Sequence, residues 1–142
     1  MINIQSFAFN PFQTNTYILS DESKSAIVID PSFALPHEQK QFDDYIADHD
    51  LKLVAAYNTH FHFDHCLGVN HLKTKYNLGY SANYKGLQFI KGAARQAAIY
   101  GLQIPEIEVP SNELTDKDLI IFGESKLRIL STPGHADGSL CF

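Results

Sequence analysis

Four side chains that commonly bind metals fall within six consecutive residues. They are His60, His62, Asp64 and His65, in the run Thr59-His60-Phe61-His62-Phe63-Asp64-His65. On an extended chain, residues two apart project to the same side. His60 and His62 therefore face one pocket, while Phe61 and Phe63 point the other way and can pack. Asp64 and His65 stand where a helix is expected to begin and can reach the same pocket from another direction. Histidine is 7 of the 142 residues, and this spacing arises by chance on the order of once in a thousand such chains. The plain alternative is a polar loop with exposed histidines. Structural zinc sites are closed, four-coordinate and typically rich in cysteine, whereas imidazole and carboxylate donors without thiolate suit Zn²⁺, Fe²⁺ or Mn²⁺ and leave room for water. That is the catalytic pattern. A third histidine must come from elsewhere, and His135 is the best candidate. It directly follows Thr132-Pro133-Gly134, where proline fixes one dihedral and glycine permits close approach. A loop histidine standing alone is more often simply solvated, so His135 gains its weight from the upstream motif.

The elements that must hold these residues alternate in kind. Ile2–Phe9, Thr14–Leu19 and Ala26–Ile29 read as three strands separated by turns at Asn10-Pro11 and Ser20–Ser23. The continuous apolar run of the third predicts a strand buried on both faces. Phe42, Tyr45, Ile46 and His49 then form one stripe of a helix, with Pro36 suited to its first turn. Leu51–Tyr57 reads as a strand leading into the polar loop 58–64. A helix is expected over about His65–Tyr76, with Val69, Leu72 and Tyr76 inward. Another is expected over Tyr84–Tyr100, with Leu87, Ile90, Ala94 and Ala97 on one face and Gly101 as its stop. Asp118–Phe122 and Lys126–Leu130 flank Gly123-Glu124-Ser125 as a hairpin, and a last strand begins at Ser139. The pattern is a mixed α+β domain with a largely β centre.

Composition narrows the function. The net charge is −5, and no basic run is present, which argues against a nucleic-acid or anionic-membrane partner and leaves a small-molecule substrate. No apolar stretch is long enough to span a bilayer. The first residues carry no basic region followed by an apolar block, so no signal peptide is expected. The two cysteines, Cys66 and Cys141, have no metal-site or disulfide-scaffold spacing. A reducing cytoplasm is the expected compartment. His37, His49 and His71 lack partners at ligand spacing. Tyr76, Tyr80, Tyr84 and Tyr100 read as core edges. Asp30 and Thr59 are either groups that support the ligands or, for Asp30, an ordinary turn former after a strand.

His60-x-His62-x-Asp64-His65, followed by Thr-Pro-Gly-His135-x-x-Gly-Ser, resembles the metallo-β-lactamase superfamily. The second motif, with Asn15-Thr16-Tyr17 and Val28-Ile29-Asp30-Pro31, is similar to the glyoxalase II-like (hydroxyacylglutathione hydrolase-like) branch, although persulfide dioxygenases share both motifs. The resemblance implies a four-layer αβ/βα sandwich. It implies His60, His62 and His135 on a first metal, with Asp64 and His65 contributing to a second. It also implies hydrolysis of a thioester or related acyl bond by a metal-bound hydroxide, with Asp64 orienting the water and Zn²⁺ as the metal (one or two ions), Fe²⁺ or Mn²⁺ being the alternatives. A mononuclear iron persulfide dioxygenase and a non-catalytic fragment or degenerate metal-binding domain are the competing readings. The family's bridging aspartate and final histidine lie downstream of the Gly-Ser strand, beyond residue 142. Residues 1–142 are therefore expected to be a single domain lacking the C-terminal part of the fold, with an unpaired strand edge near Ser139–Phe142 that invites self-association.

Overall fold

The computed structural model describes residues 1–142. Strands β1 (Asn3–Phe9), β2 (Thr14–Ser20) and β3 (Ser25–Ile29) form an antiparallel meander. Helix α1 (Pro36–Asp48) then crosses over to β4 (Lys52–Tyr57), parallel to β3. A single 3₁₀ turn (Phe63–His65) and helix α2 (Val69–Tyr76) lead to the short parallel strand β5 (Ser81–Ala82). After α3 (Leu87–Lys91) and α4 (Ala93–Ile99), strand β6 (Asn112–Glu113) completes a six-stranded sheet in the order β1-β2-β3-β4-β5-β6. Two further antiparallel pairs follow: β7 (Leu119–Phe122) with β8 (Ser125–Arg128), and β9 (Leu130–Ser131) with β10 (Leu140–Cys141).

The centre of the large sheet is buried on both faces, and its alternation divides the core in two. Ile18, Ala26, Val28 and Ala56 face the helices and pack with Phe33, Phe42, Ile46, Val69, Leu72, Ile90 and Ala97. Leu19, Ile27 and Ile29 face the other way and pack with Ile120, Phe122, Ile129 and Leu140 of the two hairpins. This explains why residues 26–29 are apolar without interruption: each side chain enters one core or the other. No helix covers the outer side of the hairpin layer, and Leu119, Ile121 and Leu130 are exposed there.

Two expected helices are broken. The one over His65–Tyr76 begins only at Val69. Asn58 Nδ2 donates to the His65 carbonyl at 2.7 Å, which occupies the acceptor that helix propagation would use. Gly68 lies so close to Phe33 that an added Cβ would stand 2.5 Å from its ring. The one over Tyr84–Tyr100 is a 3₁₀ turn (Tyr84–Gly86) followed by α3 and α4, separated at Gly92. Ala93 is buried and Ala94 is exposed. The final strand keeps one edge without a strand partner, as expected. β10 is paired with β9 on one side, and on the other a single bond, from the Leu140 N–H to the Thr59 carbonyl at 2.9 Å, fastens it to the loop after β4.

The hairpin layer is pinned by one carboxylate. Asp21, after β2, accepts from Ser23 N–H and its hydroxyl, and across the fold from Glu124 N–H at 2.7 Å and the Ser125 hydroxyl at 3.1 Å. The hydrogen bonds from Ser23, then those from Glu124 and Ser125, lower its pKa from 3.8 to about 2 against the opposing effect of burial. A carboxylate with a lowered folded-state pKa stabilises the fold above its unfolded value, and that contribution is lost as pH falls through the folded value. Urea titrations from pH 5 down to pH 2 are expected to show a loss of stability that is smaller in Asp21→Asn, whose side chain does not titrate. Identical pH profiles for the two proteins would remove Asp21 from this role.

Candidate metal centre

β3 and β4 are adjacent parallel strands, and the residues just beyond their C-terminal ends build the site. This is where ligands bind in sheets of this kind. Asp30 follows β3 and is 3% exposed. Its backbone has φ of +51°, a left-handed conformation costly for a residue other than glycine and found where surrounding structure over-determines it. Here the surroundings are three donors. Thr59 N–H donates to Oδ1 at 2.7 Å, the Thr59 hydroxyl to Oδ2 at 2.7 Å, and His65 Nδ1 lies 3.0 Å from the same Oδ2.

This arrangement fixes two imidazoles. A carboxylate only accepts, so His65 Nδ1 carries the proton and its Nε2 is left facing the pocket. The Thr59 hydroxyl spends its hydrogen on Asp30, so its oxygen accepts from His60 Nδ1–H at 2.9 Å. His60 Nε2 is thereby also left without a proton, and it faces His62 Nδ1 at 3.2 Å. His135 arrives from the loop between β9 and β10, after Gly134 at φ +148°. The Ser139 hydroxyl holds the Ala136 carbonyl at 2.7 Å, and Leu140 N–H holds Thr59, so the His135 loop is fastened to the His60 loop. The result brings ligand atoms of His60, His62 and His135 within 4.8 Å of one another.

Asp64 and His65 sit beside this trio, with His65 Nε2 3.6 Å from Asp64 Oδ2. The His60 and His65 rings are 4.1 Å apart between centroids. The Thr14 hydroxyl donates to Asp64 Oδ2 at 2.7 Å, and Asn10 Nδ2 donates to the Asp64 carbonyl at 3.0 Å. The structure therefore brings all five expected residues to one locus, three as a tight cluster and two alongside. Asn10 and Thr14 are additions that the sequence reading did not contain. The only signal was Asn10-Pro11, read as a turn.

The electrostatics match a metal site. Burial, then the neighbouring imidazoles, pushes the His60 pKa from 6.5 to about 3, and burial and His135 lower that of His62. Both rings are therefore neutral with a lone pair at physiological pH, as metal ligation requires. For His65, burial pulls downward, but the hydrogen bond and charge of Asp30, then the charge of Asp64, raise its pKa. Three imidazoles whose ring nitrogens converge in this way are a fitting donor set for a borderline divalent ion. Cys66 is no part of this set: it is fully buried, and burial raises its thiol pKa well above the ordinary value.

The comparisons agree with the geometry. Residues 9–142 match the family model of the metallo-β-lactamase superfamily. The chain belongs to the metallo-β-lactamase superfamily. A hydroxyacylglutathione hydrolase of Francisella philomiragia subsp. philomiragia is 32% identical over 136 residues, which is 96% of this chain and 44% of that enzyme. The mitochondrial persulfide dioxygenase ETHE1 of Mus musculus is 31% identical, over 91% of this chain and 42% of that protein. Among solved structures, TTHA1623 in a di-iron-bound form superposes with a TM-score of 0.81 at 26% identity, covering 96% of this chain and 64% of that one. The chain thus has the superfamily fold and spans about 44% of the length of the hydroxyacylglutathione hydrolase it matches. No helix is long and apolar enough to cross a membrane.

Metal titration by competition with a chromophoric chelator tests the centre. His60→Ala, His62→Ala and His135→Ala are each expected to abolish tight Zn²⁺ binding. Asp30→Asn, which touches no metal but orients two rings, is expected to weaken it by about 10- to 100-fold, the usual effect of a group supporting a ligand. Asp43→Asn, in a separate cluster with His71, Lys75 and Tyr76, should leave affinity unchanged. Equal affinities for Asp30→Asn and the unsubstituted protein would show that Asp30 does not set the ligand geometry.

Proposed function

We propose that this chain carries the metal-binding core of a metallo-hydrolase that cleaves a thioester or a related acyl bond. The observation that carries the reading is the convergence of His60, His62 and His135 within 4.8 Å, beside the Asp64 carboxylate. A divalent ion held there supplies the Lewis acidity that ionises water near neutral pH and takes up charge developing on the acyl oxygen. The protein's own groups do the rest. Thr14 fixes one Asp64 oxygen, leaving the other free to accept from a water and to aim it. Asp30 and Thr59 hold His60 and His65 in the orientation that presents Nε2. Burial of His60 keeps it unprotonated through the working pH range. The buried phenylalanines Phe61 and Phe63 exclude water from behind the loop. We assign His60, His62 and His135 as ligands of one ion, with Asp64 and His65 placed to contribute to a second. Zn²⁺ is the favoured metal, with Fe²⁺ and Mn²⁺ next, and the substrate is a small molecule.

The likeness to the mouse persulfide dioxygenase at 31% identity supports a second reading, in which the same three histidines would hold a single iron and dioxygen would be the oxidant of a persulfide. Metal analysis of the protein purified in its full encoded length, followed by thioester hydrolysis and oxygen-uptake assays on one sample, separates the two. The hydrolase reading predicts zinc and thiol release without oxygen consumption, with Asp64→Asn reducing turnover by at least about 100-fold, the scale of a positioned proton-handling group. Iron as the sole metal, oxygen uptake with a persulfide and no thiol release would contradict it.

A further inference from the structure

Beside the metal centre lies an open cleft of about 240 Å³. At one side it is lined by His62 and Asp64, and opposite them by Phe12, Phe63, Ile99 and Tyr100, with Gln96 as the one other polar contributor. Three of the four apolar side chains are exposed: Phe12 by 39%, Ile99 by 79% and Tyr100 by 63%. Single exposed apolar residues are ordinary on a protein surface. A contiguous set rimming a concavity that also contains the site's polar groups is the usual signature of a ligand groove.

The wall is built rather than accidental. Helix α4 ends in a Schellman motif, with Leu102 N–H donating to the Ala97 carbonyl and Gly101 N–H to Ala98, both at 3.0 Å, and Gly101 at φ +72°. That cap fixes Tyr100 at the helix end. Phe12 is fixed from the other side: its N–H donates to Asn10 Oδ1, and Asn10 in turn holds the Asp64 carbonyl. The three rings meet edge to face, Phe12 with Tyr100 at 5.2 Å and Phe12 with Phe63 at 5.5 Å between centroids. The β1–β2 turn, the metal loop and the end of α4 thus close on one another around the cleft, and Asn10 links the aromatic wall directly to Asp64.

Resting on the hydrolase reading above, we infer that the cleft between Phe12, Phe63, Ile99 and Tyr100 receives the apolar, uncharged acyl group of the substrate whose thioester carbonyl lies at the histidine cluster. Two observations set the chemical class. The residues of this chain that line the cleft include no lysine or arginine, and the carboxylate among them is Asp64, so this wall suits an apolar, uncharged group better than an anionic one. Its volume also falls below the range of about 300–1,000 Å³ typical of sites that enclose a drug-sized ligand. A short alkyl or single-ring acyl group matches it.

The test is hydrolysis of acetyl, butyryl, hexanoyl and benzoyl thioesters of one neutral thiol, N-acetylcysteamine, by the zinc-loaded protein in its full encoded length. The same ligand dependence is read without turnover, by saturation-transfer NMR with hexanamide, acetamide and hexanoate. kcat/KM is expected to rise about fourfold per methylene along the alkyl series, the value of a buried CH₂ at 25 °C. Hexanamide should bind in preference to acetamide and hexanoate. The double variant Ile99→Ser/Tyr100→Ser is expected to reduce the hexanoyl-to-acetyl ratio about tenfold or more and to abolish the hexanamide signal. Both side chains are exposed, so circular dichroism should match the parent. Thioester hydrolysis indifferent to acyl length, or a length dependence the double variant does not change, would overturn the cleft assignment while leaving the hydrolase reading intact. No hydrolysis of any thioester would instead defeat the hydrolase reading. The cleft is then judged by the amide alone: hexanamide binding lost in the double variant supports an apolar ligand site, and no binding overturns it.

Discussion

The buried carboxylate of Asp30 is the interaction on which the rest of the site depends. A carboxyl group only 3% exposed needs hydrogen-bond partners in place of water, and Asp30 has three, all from the segment after β4. Each of these also does something for the site. The Thr59 amide fixes where the loop leaves the strand, the Thr59 hydroxyl passes the polarity on to His60, and His65 is held directly. A single side chain at the end of β3 thereby sets the position and tautomer of two imidazoles on the neighbouring strand's loop. The left-handed backbone at Asp30 is the cost of bringing its carboxylate to that point, of order 1–3 kcal/mol for such a residue.

The fold explains why the site lies where it does. Parallel pairing of β3 and β4 places their C-terminal ends side by side, and the double burial of the sheet makes that end the exit from two cores at once. The helix-side core supports the metal loop from below through Phe61, Phe63 and Cys66. The hairpin-side core delivers His135, because Leu140 packs with Ile27 and Ile29 while its amide binds the Thr59 carbonyl. The third histidine, 73 residues or more after the first two in sequence, is thus positioned by strand packing, and the loop that carries it needs only its glycine turn to reach the others.

The pairing of His60 with His62 was legible in the sequence because its spacing has a direct geometric meaning: alternation on an extended segment puts the two side chains together. The double burial of residues 26–29 and the hairpin at residues 119–128 were legible for the same reason. The helix boundaries around the site were not. Leu72 and Tyr76 carry a helical period, but the His65 carbonyl that should have belonged to that helix is taken by Asn58, a tertiary contact invisible to periodicity. Likewise, the apolar stripe of 84–100 does not reveal that Gly92 divides it. Tyr100 read as a core edge because tyrosine usually is one. Its exposure beside His62 and Asp64 follows from the Schellman cap and from a turn at Asn10, ninety residues earlier. Local rules identify which residues can do chemistry, and long-range hydrogen bonds decide how they are presented.

The most direct test of the account is the protonation state of the histidine rings, read from long-range ¹H–¹⁵N correlation spectra of the protein before and after addition of Zn²⁺. Before metal, His60 should be neutral in the Nδ1–H form at pH 7. On addition, His60 Nε2, His62 Nδ1 and one nitrogen of His135 should all move to the metal-bound position, with the His60 proton still on Nδ1. A His60 ring protonated on Nε2, or a His135 ring unchanged by metal, would contradict the claim that Asp30 and Thr59 organise a three-histidine centre.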